Sequence, residues 1–317
     1  MRAGISGQST LKTIAKSAAA ASALALSAAA GGTRFAGPAD AGLMAEPRER
    51  EASGLAPSRL ADGVFWTHND SRADPVAFAV DARGRRRGSV RLADVKPEDW
   101  EDVASFELDG RAWLLIADCG DNFANRPSAV LHVLAEPEPS ALAAGRVLAR
   151  APEYSIHFVY EDGPRDCEAV AVDPAERAVW LLTKRDVPAR LYRLPLAAAG
   201  ARQPAVARFA GPAAGIVYDT DSLRRRLVPA RGAVGGWPTA LDFSPDGSLA
   251  VVLTLTGPAL FPRAPGESWA AALARPPTLL AEHHLPQAEA ACFSRDGRSL
   301  YVCSELTLRW LRYDRRD

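Results

Sequence analysis

The sequence lacks several features that would place a protein in a large functional class. It carries 38 basic and 38 acidic residues, so its formal net charge is zero. We therefore expect no general attraction to nucleic acid and no insertion into a membrane by the mature protein. There is no G-x-S-x-G elbow, no P-loop, no G-x-G-x-x-G and no H-E-x-x-H motif. These absences argue against a serine hydrolase and against a nucleotide-dependent enzyme.

Cysteine is scarce, and none of the four cysteines forms a C-x-x-C pair, which argues against a zinc ribbon. Cys292 and Cys303 flank one Asp-Gly turn and could face each other across that hairpin. Cys119 and Cys167 each neighbour an acidic segment. Disulfides and buried free thiols both remain open from the sequence.

A long uncharged run lies near the N-terminus. Arg2, Lys12 and Lys16 precede an Ala/Leu/Ser run over 18–30, which is shorter than the ~20 apolar residues of a comfortable membrane span. Ala28 to Ala30 supply the small residues of a signal-peptidase site. We predict a signal peptide at 1–30, a flexible linker at 31–47 and one domain at 48–317. The mature protein is expected to be exported to the periplasm or the extracellular space, and to be a monomer.

One pattern recurs five times along the chain: an acidic entrance, an apolar run, a turn, and a second apolar run. This order is typical of a β-hairpin. In the fourth copy a threonine replaces the acid at the entrance. The copies span 51–67, 101–118, 168–184, 239–254 and 289–305.

The spacing of these hairpins predicts an all-β fold, a β-propeller. Each hairpin precedes further strand-like sequence, and 50 residues separate Glu51 from Glu101 and Thr239 from Glu289. Four antiparallel strands at such a period are typical of propeller blades. Five blades are readable, and Gly211 to Gly236 is either a long loop or a degenerate sixth blade. The last unit lacks an outer strand, which residues shortly before Glu51 could supply.

In a propeller the entrances of the innermost strands meet at a central tunnel, so the repeated acids should converge there. Several carboxylates at close range need a positive charge among them, and Lys184 is the one cation in the set. A hard divalent cation, Ca²⁺ in the first place, would resolve the repulsion. The alternative is that the acids bind backbone amides and join the blades. The candidate metal ligands are Glu51, Asp70, Glu101, Asp118, Asp121, Glu168 and Glu289.

Several of these motifs carry a resemblance to known families. The segments 51–55, 66–71, 99–102, 118–122 and 166–169 resemble those of an uncharacterised family of exported bacterial propellers, usually labelled WD40-like or TolB-like. The chain is also distantly similar to the regucalcin and gluconolactonase propellers, whose tunnel holds a divalent cation with one Glu, two Asn and one Asp. Glu51 and Asn69 match that pattern, whereas Thr239-Ala240 stands where an Asn is expected. A weaker likeness is to esterase-like and phytase-like propellers.

Two functions follow as hypotheses. The first is a secreted binding or scaffold propeller that holds a cation in its tunnel and a small-molecule or protein ligand at the mouth. The second is a metal-dependent hydrolase of phosphoesters or lactones, in which the cation activates water. In that case Glu101 or Glu168 would be the general base, and His68 and Lys184 would serve the substrate.

Overall fold

The computed structural model of the chain describes residues 34–44, 51–70, 74–138, 141–142, 146–198, 203–216 and 236–316. The predicted signal peptide lies outside these residues, as does most of the stretch in which a sixth blade was considered. No helix in the described part of the chain has the length and apolar character needed to cross a membrane.

Strands make up nearly all the regular structure of the described residues. Beside them stand a 3₁₀ turn at Leu196–Ala198 and one short helix, α1, at Trp269–Leu273. The strands, in chain order, are β1 (Arg34–Leu43), β2 (Ala52–Pro57), β3 (Val64–Asn69), β4 (Val76–Asp81), β5 (Arg86–Leu92), β6 (Trp100–Leu108), β7 (Arg111–Asp118), β8 (Ala129–Ala135), β9 (Val147–Arg150), β10 (Tyr154–Tyr160), β11 (Cys167–Asp173), β12 (Ala178–Thr183), β13 (Arg190–Pro195), β14 (Ala205–Pro212), β15 (Pro238–Phe243), β16 (Leu249–Thr254), β17 (Gly257–Pro262), β18 (Thr278–Leu279), β19 (Ala288–Phe293), β20 (Ser299–Ser304) and β21 (Arg309–Arg316).

These strands form antiparallel four-stranded units. From the innermost strand outward they are β2-β3-β4-β5, β6-β7-β8-β10, β11-β12-β13-β14, β15-β16-β17-β18 and β19-β20-β21-β1. We call them blades A to E. Two parallel contacts add to this pattern, because β9 pairs with β5 of blade A and β10 of blade B pairs with β14 of blade C.

The innermost strands enclose a common axis. β2 packs against β6, β6 against β11, β11 against β15, β15 against β19, and β19 returns to β2. A ring of sheets that closes on itself in this way is a β-propeller, so the predicted fold class is confirmed. Phe35–Arg315 form one compact unit.

The inner strands are buried on both faces, as their continuous apolar sequences predicted. Every residue of β2, β11 and β19 is buried, because a neighbouring blade covers each face of the strand. Because both faces of these strands are buried, apolar residues occur on both faces. The strands therefore lack the polar–apolar alternation of a half-exposed sheet.

An N-terminal strand completes the last blade. β1 lies beside β21, and the Met44 amide donates to the Leu308 carbonyl at 2.8 Å. The prediction that the outer strand comes from residues before Glu51 is confirmed, whereas a flexible linker is wrong for Arg34–Leu43. The physical reason is that β21 would otherwise present a row of unpaired backbone groups at a sheet edge.

Buried aspartates join neighbouring blades at the axis. Asp102 of β6 accepts hydrogen bonds from its neighbour Val103 and, across the blade boundary, from the Val170 amide, both at 2.8 Å. Asp242 of β15 likewise accepts from the Phe293 amide of β19 at 2.9 Å. These carboxylates accept from amides of innermost strands, which have a ladder partner on one edge only.

All four cysteines are buried, and none of them forms a disulfide. In the β19–β20 hairpin, Cys292 pairs with Tyr301 and Cys303 pairs with Ala290, so the expected cross-strand facing of Cys292 and Cys303 is wrong. The turn between Phe293 and Leu300, which pair at the end of the hairpin, sets this register. The Cys119 thiol does approach Cys167, donating to its carbonyl at 3.3 Å.

Candidate functional site

Every innermost strand carries a β-bulge near its start. At this point the strand register skips one residue relative to the second strand of the blade. A bulge of this kind re-aims the extra side chain and sharpens the local twist. The skipped residues, from blade A to blade E, are Gly54, Glu101, Glu168, Thr239 and Glu289.

Blade A departs from the repeat that the sequence suggested. Gly54, not Glu51, holds the bulge position, and Glu51 lies three residues earlier with an exposed side chain. The expected equivalence of Glu51 with the other entrance acids is therefore wrong. No residue with a side chain fits at position 54. The φ angle of Gly54 is +70°, and a Cβ there would lie 2.6 Å from the Val103 amide nitrogen.

The bulge acids of blades C and E meet around one buried cation. Lys184 directly follows β12, and its ammonium forms an ion pair with Glu168; Glu289 Oε1 lies 3.9 Å from the same nitrogen. Burial alone would lower the pKa of Lys184, but the carboxylates of Glu168, Glu289 and Glu101 outweigh it and raise this pKa above its ordinary value. Lys184 therefore stays charged.

A second group of acids lies around the bulge of blade B. Asp70 follows β3, Asp99 precedes β6, and Glu101 is the bulged residue itself. Their carboxylate oxygens all lie within 4.8 Å of one another. Burial raises the pKa of Glu101 well above its ordinary value, and repulsion from Glu168, Asp70 and Asp99 raises it further. Three acids from two segments of the chain thus come together, and their mutual repulsion acts on Glu101.

Glu305, which follows β20, extends this acidic region toward blade E. It accepts a hydrogen bond from the Gln287 side-chain amide at 2.9 Å. Burial raises the pKa of Glu305 to about 8, with further contributions from Glu289 and Asp70. A carboxyl with this pKa changes protonation close to neutral pH. We call the carboxylates of Asp70, Asp99, Glu101, Glu168, Glu289 and Glu305, together with the Lys184 ammonium, the axial acid site.

The absence of a side chain at Gly120 leaves space for the carboxylates of Glu101 and Asp99. A Cβ at this position would overlap Glu101 Oε1 and would lie 2.5 Å from Asp99 Oδ2. The two carboxylates therefore lie directly against backbone that has no side chain. This close approach is a tertiary requirement that an isolated glycine in the sequence does not reveal.

Asp118 and Asp121, both predicted as metal ligands, make hydrogen bonds that organise the neighbouring loop. Asp118 accepts from the amides of Glu98 and Asp99 at 2.9 and 3.0 Å, and from Arg126 at 2.9 Å. Asp121 accepts from the Asn125 and Arg126 amides at 2.9 and 2.8 Å. Sequence reasoning named neither Arg126 nor Asp99 as a site residue. Asp99 lies two residues before Glu101, as Asp166 lies two residues before Glu168, so the repeat could have indicated it.

Arg185 forms part of the rim beside the axial acid site. Its Nε lies 2.5 Å from Asp166 Oδ2, and its guanidinium lies over the Trp237 ring, 4.9 Å from the ring centre. The other oxygen of Asp166 accepts from the Asp121 amide at 3.0 Å. The rim therefore combines a cation and an aromatic surface next to the acids.

His68 does not lie at an open mouth. It is fully buried, its ring packs edge-on against Trp100 at 5.5 Å, and its Nδ1 lies 2.9 Å from the Asn69 carbonyl oxygen. Burial lowers the pKa of His68 to about 4, so the ring is neutral at pH 7. Its position indicates packing between blades A and B.

Comparison with known proteins adds the following findings. No family model matches the sequence, and no curated protein matches it. Among solved structures, the chain is similar to a gluconolactonase from Xanthomonas campestris, with 11% identity, 92% of this chain and 93% of that chain covered, and a TM-score of 0.42. It is also similar to a protein proposed to be a gluconolactonase, with 12% identity, 90% and 93% covered, and a TM-score of 0.46. Likenesses this low transfer no residue and no activity to this chain.

Proposed function

We propose that the axial acid site binds a divalent cation, Ca²⁺ in the first place, and that the cation-loaded face binds a ligand. The observation that carries the proposal is the convergence of Asp70, Asp99 and Glu101, whose carboxylate oxygens lie within 4.8 Å of one another. Clustered carboxylate oxygens are the ligands that Ca²⁺ prefers.

The charges around the three acids support a cation. Lys184 is the one cationic side chain inside the axial acid site, and it is engaged with Glu168 and Glu289. The repulsion that raises the pKa of Glu101 is therefore not cancelled by a contact ion pair to that carboxylate. A bound divalent cation would reverse the repulsion and keep all three acids ionised.

The test is direct measurement of cation binding. We expect one Ca²⁺ per chain by elemental analysis of the purified protein, and saturable Ca²⁺ binding by titration calorimetry after chelator treatment. Glu101→Gln should weaken Ca²⁺ binding at least about tenfold, since it removes one charged ligand. Glu153→Gln is the matched control, because Glu153 is a half-exposed partner of Arg111 away from the axis. The proposal would be wrong if the protein held no bound metal and its melting temperature did not change when a chelator was added.

Metal-dependent hydrolysis of phosphoesters or lactones is the second candidate function. Glu305 favours it, because this carboxyl interacts with Glu289 and Asp70 of the axial acid site and could accept the proton of a metal-activated water. Glu168 and Lys184 lie beside the same space. A screen of model lactones and phosphoesters with Ca²⁺ present tests this candidate. Activity that Glu168→Gln abolishes, while Ca²⁺ binding persists, would favour hydrolysis over simple binding.

We further propose that the protein is exported, with residues 1–30 removed as a signal peptide. Calcium is abundant outside the cell, so an exported protein would meet the cation that the axial acid site is proposed to bind. N-terminal sequencing of the secreted chain checks the cleavage point, and recovery of the protein only in the cytosolic fraction would contradict export.

A further inference from the structure

A second axial cavity lies at the opposite end of the propeller from the axial acid site. The acids stand where the inner strands begin, whereas this cavity is lined where β6, β11 and β15 end and turn into the next strand. Its volume is about 450 Å³. That is within the range of small-molecule binding sites, roughly 300–1,000 Å³.

Arg59, two residues beyond the end of β2, brings a positive charge to this cavity. The guanidinium is half-buried and donates to Ser105, with Nη2 lying 2.8 Å from its carbonyl oxygen and Nε lying 3.1 Å from the same oxygen and from Oγ. Among the described residues no carboxylate lies within ion-pair distance of this guanidinium. Its hydrogen-bond partners there are neutral, although Asp242 and Glu136 interact with its charge from a greater distance. A guanidinium without a contact ion pair can still receive an anion.

Arg295 stands at the corresponding place in blade E, two residues beyond the end of β19. It contacts Asp62 at 3.2 Å, but the Asp62 side chain is 90% exposed. An exposed ion pair of this kind is weak and leaves the arginine available. Two arginines from blades A and E therefore face one cavity.

Most of the other charged side chains that line the cavity already have hydrogen-bond or ion-pair partners. Asp173 accepts from the Trp269 indole at 2.8 Å and from Arg263 at 3.0 Å, and Arg263 itself stacks over Trp269. Asp246 accepts from Ser244 and Ser248 at the adjacent turn. Glu107 is exposed at the rim.

Asp242 is the remaining acid of the wall, and one of its oxygens accepts the Phe293 amide. Burial raises its pKa to about 6, and Arg59 opposes the rise. The carboxyl can thus donate a hydrogen bond in mildly acidic solution. Next to it Phe243 stacks on Trp269 with ring centres 3.7 Å apart, which gives the cavity a rigid apolar side.

We propose that this cavity binds a small organic anion, with Arg59 and Arg295 receiving its carboxylate or phosphate group. Guanidinium groups bind both of these anions through paired, charge-assisted hydrogen bonds. The apolar wall at Phe106 and Phe243 would contact the non-ionic part of the molecule. The site is separate from the axial acid site, so its existence does not depend on the function proposed above.

The test measures binding of two probes, succinate and inorganic phosphate, by titration calorimetry at low ionic strength with metal-free protein. We expect saturable binding of at least one probe, and the one that binds identifies the preferred anionic group. Arg59→Met should weaken the binding at least about tenfold and Arg59→Lys less, since lysine keeps the charge but loses the paired donors. Arg150→Met is the matched control, because Arg150 is exposed on β9 and, among the described residues, its side chain bonds to the carbonyl of the adjacent Ala149.

Two further variants test whether the anion binds at this cavity and not at the axial acid site. Glu101→Gln should leave the binding of either probe unchanged, because the acids lie at the other end of the axis. Arg295→Met should weaken the binding several-fold, and it replaces the Arg59 test if Arg59→Met does not fold. No saturable binding of either probe, or equal binding by wild type and the arginine variants, would overturn the proposal.

Discussion

The ammonium of Lys184 lies between the carboxylates of Glu168 and Glu289, which come from the bulges of two different blades. Glu168 is in direct contact, and Glu289 Oε1 lies 3.9 Å away. Blade D, which separates blades C and E in the ring, offers Thr239 at the same position. Thr239, which cannot ionise, thus stands between two bulge acids that share a lysine.

Lys184→Met should strongly destabilise the protein. It leaves Glu168 and Glu289 buried without their cation, at a cost of about 3–5 kcal/mol for a broken buried pair. The double variant Lys184→Met/Glu168→Gln should recover part of this loss, because one of the stranded charges is removed. Urea denaturation of both variants measures the difference. Arg91→Met is the control, since Arg91 pairs with Asp74 at the surface and should cost no more than about 1 kcal/mol.

Gly120→Ala should weaken Ca²⁺ binding without unfolding the protein. The new methyl group would displace Glu101 and Asp99, whose oxygens occupy its space. We expect a loss of at least about tenfold in affinity by calorimetry. Gly63→Ala provides a comparison, because Gly63 has a φ of +68° and open space around it. That variant should lose stability and retain the cation, so wild-type affinity in Gly120→Ala would contradict the assigned position of the acids.

Glu136→Ala should destabilise the contact between blades A and B. The carboxylate of Glu136 accepts from the Ser58 hydroxyl at 2.5 Å, from the Arg59 amide at 2.9 Å and from the Trp66 indole at 2.8 Å. Removing the carboxylate leaves three donors without an acceptor, and each lost hydrogen bond should lower the free energy of unfolding by about 1–3 kcal/mol. Glu136→Gln should cost less, since its amide oxygen still accepts. Equal chemical stability of the two variants would show that the donors find other partners.

His68 should contribute to a loss of stability in acid. Its folded pKa of about 4 lies below the ordinary value of 6.5, so the unfolded chain takes up the proton first as the pH falls. The contribution is complete above pH 6.5 and is lost as the pH falls to about 4, amounting to about 3 kcal/mol.

The measurement for His68 is the urea midpoint between pH 4 and pH 7. The difference between wild type and His68→Gln isolates this residue, because buried carboxylates with raised pKa values act in the opposite direction over the same range. His284→Gln, at an exposed histidine, should follow the wild-type slope. A difference that does not change with pH would show that the buried ring accepts a proton without cost.

Local sequence pattern predicted most of the strands, because apolar runs bounded by Asp-Gly turns have few other ways to fold. The hairpins at 101–118, 168–184, 239–254 and 289–305 all stand where that pattern predicted them. In blade A the pattern predicted Glu51 as the entrance residue, although the bulge lies at Gly54. A bulge is a relation between two paired strands, so a single strand's sequence does not display it.

By itself, then, the sequence determined the repeated hairpins, the all-β class and the acids at the strand entrances, since each depends on neighbours along the chain. Only the tertiary structure decided that Asp99 joins Asp70 and Glu101, and that Arg59 and Arg295 face one cavity. The physical reason is that closing the ring brings together residues far apart in sequence. Their distances follow from how the blades pack around the axis.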